Sequence, residues 1–244
     1  MKKQLTILLG ITLLSGCAAT NTMISKRNLD VQTKMSSTIF LEPVSNSKKT
    51  IYIQAKNTSD KKFFINEKLK TELENKGYDV VGNLDKAHYL LQANILQVGK
   101  MDPTAAEKYL MGGYGSSIGM VATGVVAGAI LGNGSDTSML TGGLVGGIAN
   151  TIANAAVKDV TYTVVTDLQI SERVGKGAKI NETVESNFGQ GSGSVVKQTS
   201  ASQSGWMKHQ TRIVSTANKV NLNFKDALPE LETCLANSIA GVFE

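Results

Sequence analysis

The sequence predicts an α+β fold interrupted by an apolar insertion. Three observations predict it. Several segments alternate with the two-residue period of a half-buried strand. Two segments carry apolar residues at four-residue spacing, as amphipathic helices do. Between two of the strand segments lies an uncharged, glycine-rich stretch that fits neither pattern. The expected body is an antiparallel or mixed sheet of about five to six strands with two packed amphipathic helices, interrupted by a glycine-rich helical hairpin.

Residues 38–43 (TIFLEP) read as a first short strand, and KTIYIQAKN as a second, with Ile51, Ile53 and Ala55 on one face. In NTSDKKFFINEKLKTELENKG, Ile65, Leu69 and Leu73 form a helical stripe. Ser59 and Asp60 are its expected caps, and Gly77 its expected stop. Tyr78–Val81 and Tyr89–Met101 follow as strands, the second broken by Asp102-Pro103. In VTYTVVTDLQIS, Val160, Tyr162, Val164, Thr166, Leu168 and Ile170 share a face. KHQTRIVSTANKVNLNF is a further strand. Leu231, Leu235, Ile239 and Val242 stripe a C-terminal helix, with Asp226 just before it, Pro229 in its first turn and Cys234 beside the stripe. Residues 175–205 are rich in Gly, Ser, Asn and Gln and read as a polar loop within the body.

The N-terminus is an address. MKKQLTILLGITLLSGC has a positive start, an apolar run too short to span a bilayer, and small residues before Cys17. This resembles the lipobox of bacterial lipoproteins. The resemblance implies a signal peptide over residues 1–16 and a diacylglycerol and an N-acyl chain on Cys17. Each buried methylene contributes about 0.8 kcal/mol, so two or more chains anchor stably. Residue 18 is Ala, not the Asp that retains such proteins on the inner membrane, so the expected destination is the outer membrane. Residues 17–37 are then a lipidated tether, the body comprises 38–108 and 158–244, and Cys234 is left unpaired.

The insertion is residues 109–157. Of 24 glycines, 12 lie there, and no Asp, Glu, Lys or Arg occurs from Tyr109 to Ser135. Asn133–Asp136 signals a turn between two apolar arms, 117–132 and 141–157. Gly124, Gly128 and Gly132 repeat every four residues in the first arm, and Gly143 and Gly147 begin a small-residue stripe in the second. This spacing lets helix backbones approach closely in lipid. Dilution with small residues also keeps each arm from halting in the inner membrane, since central Leu, Ile, Val or Phe each favour insertion by about 0.3–0.6 kcal/mol. The expectation is a membrane-inserting helical hairpin that packs against copies of itself, giving a homo-oligomer in contact with outer-membrane lipid. The alternative is a glycine-rich hairpin buried in a soluble domain.

Composition excludes several functions. Net charge is +5 over 244 residues, with 18% charged and no basic cluster, so no nucleic-acid partner is expected. His88 and His209 are the only histidines, and no His/Cys/acid cluster has metal-ligand spacing. Gly115–Gly119 matches G-x-S-x-G, but Tyr114 and a glycine pair stand where a strand should precede it, an oily arm follows, and only His209 remains downstream. No cofactor, metal or catalytic residue is expected, and the chain does not read as an enzyme.

SKRNLDVQTKMSSTIFLEP, KNTSDK, KGYDVV, DKAHYLLQANILQVGKMD, VKDVTYTVVTDLQISER and KHQTRIVSTANKVNLNF resemble the TraT family, the plasmid-encoded outer-membrane lipoproteins of conjugative systems. The resemblance runs through nearly the whole chain. It implies surface exclusion between cells carrying like plasmids, a contribution to complement (serum) resistance, and an oligomeric, surface-exposed, lipid-anchored protein that meets a donor's mating apparatus. By carry-over Cys17 is the lipidated residue. An oligomeric outer-membrane pore and a structural envelope lipoprotein are the alternative functions.

Overall fold

The computed structural model describes residues 26–116, 158–175, 180–190 and 194–244, and between 180 and 204 the description is of the backbone. The signal peptide, Cys17 and the hairpin positions Gly124, Gly128, Gly132, Gly143 and Gly147 lie outside the described residues.

Eight strands and three helices follow in chain order. The strands are β1 (Asp30–Met35), β2 (Thr50–Asn57), β3 (Asp79–Val80), β4 (Tyr89–Lys100), β5 (Asp159–Arg173), β6 (Ile180–Gln190), β7 (Ser194–Ser204) and β8 (Trp206–Val220). The helices are α1 (Asn66–Asn75), α2 (Pro103–Gly112) and α3 (Phe224–Ala240). Six strands form one mixed sheet in the order β1-β8-β5-β4-β2-β3, with β2 parallel to β4 and β3 and the other pairs antiparallel. A bulge between Ile95 and Gln97 shifts the β4–β5 register by one residue.

The inner face holds the main core. Val160, Tyr162, Val164, Leu168 and Ile170 of β5 pack with Leu69 and Leu73 of α1 and Leu231, Leu235 and Ile239 of α3. Lys68 joins the two helices, donating to the Pro229 carbonyl at 2.8 Å and the Thr233 hydroxyl at 2.9 Å. Gly77 ends α1 as expected. Its φ is +82°, Tyr78 N–H donates to the Leu73 carbonyl and Gly77 N–H to that of Glu74, which is a Schellman stop. Cys234 is unpaired and half-buried, its Sγ 3.1 Å from the Thr33 hydroxyl.

Several expectations are corrected. Among the described residues there are three helices, where two were expected in the body. Asp102-Pro103 ends β4 and also starts α2, with Asp102 accepting from Thr104 N–H at 2.8 Å and Pro103 in the first turn. The body therefore runs past residue 108, and Tyr109 is fully buried. Residues 38–43 are not a strand: Ile39 is buried, but Phe40 is 84% exposed with no strand beside it. The strand instead comes from the supposed tether, where Asp30–Met35 pair along β8 and alternate exposed and half-buried. Helix α1 starts later than Ser59 and Asp60, which sit in a turn closed by Asn57; its N-cap, Ile65, supplies a buried side chain and no side-chain hydrogen bond, while its carbonyl accepts from Leu69 N–H at 2.8 Å. Asp226 lies within the first turn of α3, which Asn223 caps, and Pro229 falls in the helix interior, where it removes one hydrogen bond. Residues 175–205 are largely a two-stranded ribbon, with β6 and β7 paired from Ile180–Ser204 to Gln190–Ser194. Strands β6 and β7 form a separate two-stranded sheet, and Val174 N–H donating to the Gly205 carbonyl at 3.0 Å adds one rung to the β5–β8 hairpin before it.

A polar knot lies on the inner face near that junction. His88 Nε2 is 3.4 Å from Glu172, Tyr89 packs edge-on against His88, and the Tyr89 hydroxyl has no hydrogen-bond partner. Burial lowers the His88 pKa below 6.5 and outweighs the opposing pull of Glu172; Lys48 and Arg173 act with burial. The folded state thus resists protonating His88, whereas the unfolded chain accepts the proton near 6.5. Stability falls as the pH drops through that value. In His88→Gln this loss is smaller, and urea midpoints read from Trp206 fluorescence at pH 7.5 and 5.5 check it; equal losses in both proteins would exclude His88 as the cause.

Candidate functional site

The outer face of the sheet is divided. Over β5 and β8, helix α2 covers Val165 and Val214 with Ala105, Ala106 and Tyr109, and Met101 completes this second cluster. Beyond it the face stays polar. Gln54, Gln92, Gln169 and Gln210, from four strands, form an amide ladder. Each amide nitrogen donates to the next carbonyl, at 2.6 Å from Gln210, 2.9 Å from Gln169 and 2.8 Å from Gln92.

Between helix and ladder sits a buried ion pair. Asp167 and Arg212 face each other across β5 and β8. The Arg212 side chain is 0% exposed and that of Asp167 12%. Arg212 Nε donates to Asp167 Oδ1 at 2.7 Å and Nη2 to Oδ2 at 3.0 Å, a bidentate pair. The remaining donors reach Ser116: Nη2 meets its carbonyl at 2.9 Å, and Nη1 meets its hydroxyl. Gly115 N–H donates to Asp167 Oδ2 at 2.9 Å. The chain leaving α2 is therefore clasped to the sheet at Ser116, the last described residue before Lys158. The Arg212 backbone is fixed too, exchanging bonds with Ser36 at 2.8 and 2.9 Å beyond the end of β1.

The segment returns at Lys158. Lys158 N–H donates to the Asn221 side chain at 2.9 Å, and Asn221 N–H to the Lys158 carbonyl at 2.7 Å. Asn221 has φ of 51°, a conformation Asn tolerates better than most residues. Both roots of the insertion are thus pinned to the β5–β8 pair, one beside Asp167 and one just before Asp159. Eight residues of strand separate them, roughly 27 Å.

The clasp also decides what Ser116 can do. Its hydroxyl donates to the Gly113 carbonyl at 3.0 Å and receives Arg212, so it serves structure. His209 belongs to the opposite face of β8 by alternation, and Ser117, the serine of the G-x-S-x-G match, lies outside the described residues. Among the described residues no group of three His, Cys, Asp or Glu is placed to hold a metal, and no helix is long and apolar enough to cross a membrane. Tyr109 and Tyr114, on either side of the turn, have phenol pKa values raised by burial, with Asp167 adding to the effect at Tyr114.

The family described as "Enterobacterial TraT complement resistance protein" matches residues 28–243. The chain belongs to the TraT family. It is similar to a TraT complement resistance protein of Escherichia coli, 43% identical over 97% of this chain and 95% of that one. A second, from Escherichia coli strain K12, is 42% identical over 94% of this chain and 92% of its own. A third, from Wigglesworthia glossinidia brevipalpis, is 31% identical over 95% and 92%. The names of these relatives describe complement resistance and no catalytic activity.

Sequence reasoning about this TraT-family chain missed the clasp. The signal was present: Asp167 and Arg212 are the one acid and the one base set deep inside two otherwise uncharged apolar runs, VTYTVVTDLQIS and TRIVSTA. A charge in a strand buried on both faces requires a partner. Breaking such a pair from one side costs about 3–5 kcal/mol, while replacing both partners by apolar residues is far milder. Arg212→Ala is expected to lower the urea midpoint strongly. The double variant Arg212→Met, Asp167→Leu recovers most of that loss but leaves Ser116 unheld. Chymotryptic cleavage after Tyr114 rises in both variants. A double variant with wild-type cleavage would show that the clasp does not hold the turn.

Proposed function

We propose that this protein is a lipid-anchored protein of the bacterial outer membrane that confers complement resistance and takes part in surface exclusion during conjugation. Family membership across residues 28–243, with relatives named for complement resistance, carries the first part. The lipobox ending in Cys17 supports the anchor, with diacylglycerol and an N-acyl chain as its lipids. The apolar arms, with Gly124, Gly128, Gly132, Gly143 and Gly147 at four-residue spacing, support insertion and packing between copies in a homo-oligomer.

The mechanism is steric and recognition-based. Many copies held by Cys17 and the arms mask the cell surface from complement and block the stabilisation of mating pairs. The ribbon of β6 and β7 is the candidate reader of the donor's mating apparatus. Its strands are polar and 11 residues long, roughly 37 Å each. Nothing in this mechanism needs a nucleophile, metal or cofactor.

Cys17→Ala is the direct test. The variant is expected to stay unacylated, to leave the outer-membrane fraction, and to reduce serum survival and exclusion of incoming plasmid to the level of cells lacking the protein. Full protection by the unacylated variant would overturn the proposal. Exchanging residues 175–205 for those of a relative with different exclusion specificity should move the specificity with the ribbon; specificity that stays with the body would remove the ribbon from this role.

A further inference from the structure

The six-stranded sheet has two open edges, one along β1 and one along the part of β2 that the two-residue β3 does not reach. On β1, Ser36 N–H donates to the Arg212 carbonyl at 2.8 Å. By alternation the backbone groups of residues 30, 32 and 34 face β8, and those of Val31, Thr33 and Met35 face outward. On β2, the Thr50 carbonyl accepts from His88 N–H at 3.0 Å and Thr58 N–H donates to the Ile95 carbonyl at 2.9 Å, both toward β4, while the Ile51 carbonyl accepts from Val81 N–H on the β3 side. Ile53, Ala55 and Asn57 therefore turn their backbone groups outward past the end of β3. Val31, Met35, Ile53 and Ala55 are half-buried at the rim of the main core. On the outer face beside them Asp30, Gln32 and Lys34 of β1 and Gln54 and Lys56 of β2 are exposed. None of these three charges has an ion-pair partner among the described residues.

We propose that β1 of one copy of this chain pairs antiparallel with β2 of the next, so that one sheet runs through neighbouring bodies. The inference rests on the homo-oligomer proposed above and not on the arms. Chain direction permits it. Strands β1 and β2 run opposite ways in the sheet, so a second copy set beside the first in the same orientation meets it antiparallel. Parity permits it too. On both edges the outward backbone groups belong to inner-face residues, so pairing them keeps the helices of both copies on one side. One register then opposes the charges. Val31 bonds with Ala55 and Thr33 with Ile53, Asp30 faces Lys56, Gln32 faces Gln54, and Lys34 lies over the Tyr52 ring. A shift of two residues either way takes Asp30 to Thr58 or Gln54 and loses the charge pair. The glutamine ladder favours the same register. It ends at Gln54, whose amide nitrogen donates to no described residue, and Gln32 gives its own nitrogen to Asp30 at 2.9 Å and keeps its carbonyl oxygen for the neighbour. Edge charges guard a strand against pairing, and here they guard every register but one. The symmetric alternative, β1 against β1, sets Asp30 opposite Lys34 but leaves the β2 edge, with Ile53 and Ala55, uncovered. Head-to-tail pairing closes both edges and builds a ring where the rotation closes.

The test uses full-length protein in a Cys234→Ser background, in isolated membranes oxidised with copper–phenanthroline and read on non-reducing gels. Gln32→Cys and Gln54→Cys are placed together in one chain. Opposed residues of a non-hydrogen-bonded antiparallel pair have Cα atoms about 4.5 Å apart, within disulfide range. Within one copy the two positions lie four strands apart, roughly 19 Å, so any disulfide joins copies. The expected result is a series of cross-linked dimers, trimers and larger species. The series is absent from the Cys234→Ser parent, from either single variant, and from the register-shifted pair Lys34→Cys, Lys56→Cys. Adding Asp30→Lys lowers its yield, and adding Lys56→Asp as well restores it. Cross-linking by Gln32→Cys alone overturns the proposal in favour of β1 against β1, and equal cross-linking by the shifted pair overturns the register. No cross-link in a protein that light scattering shows to be oligomeric in detergent overturns the proposal and leaves packing through the arms standing. A protein that is monomeric there and forms no cross-link overturns the homo-oligomer as well.

Discussion

A buried guanidinium has to be satisfied completely, and the middle of this protein is arranged around that requirement. Arg212 is fully buried on β8, and four hydrogen bonds from its side chain go to Asp167 and Ser116. Those bonds join β5 to β8 side by side and bring the chain after α2 down onto both. Ser36 fixes the same arginine's backbone, so the edge strand β1 is tied to the same point. The result is one locus at which the sheet, the outer helix, the edge strand and the root of the insertion share partners. An ion pair of this kind contributes little net stability against a well-packed apolar substitute. What it supplies is position: the alternatives to its one geometry leave a charge unpaired.

The legible parts of the fold were those in which periodicity and burial agree. Strand β5 read directly from alternation, because its even-numbered side chains from Val160 to Ile170 all face the main core. The stripes of α1 and α3 read from four-residue spacing, since each helix buries one side only. The parts that were not legible had weaker demands on their residues. Strand β1, DVQTKM, is an edge strand with one half-buried face, so polar residues suffice and its composition matches a tether. Ribbon strands β6 and β7 carry little apolar alternation, and they pair only with each other, as a separate two-stranded sheet. Helix α2 buries Ala105 and Ala106, whose small side chains give a faint stripe. TIFLEP has strand composition but gains no partner strand.

Distance along the chain hid the site for a different reason. Asp167 and Arg212 are 45 residues apart and Ser116 is 51 before Asp167. Only the β5–β8 register places acid opposite base, and only the path of α2 over the outer face brings Ser116 to them. The glutamine ladder has the same character. Its four members come from β2, β4, β5 and β8 and meet in one row because the strand registers agree.

The glycines show how one composition signal conceals two physical causes. Read as a run, residues 112–147 suggest a single purpose for glycine, the close packing of helices in lipid. The structure separates the first of them from that purpose. A Cβ on Gly112 would lie 2.6 Å from the Ser116 hydroxyl, which Arg212 holds in place, so the neighbour cannot yield. Gly113 and Gly115 take φ of +69° and +73°, the turn that lowers Ser116 onto the ion pair. These glycines belong to the body and serve the clasp. Those from Gly124 onward have the regular four-residue spacing that the turn glycines lack. The boundary falls at the buried charge: up to Ser116 glycine lets the chain reach Arg212, whereas the four-residue spacing begins only at Gly124.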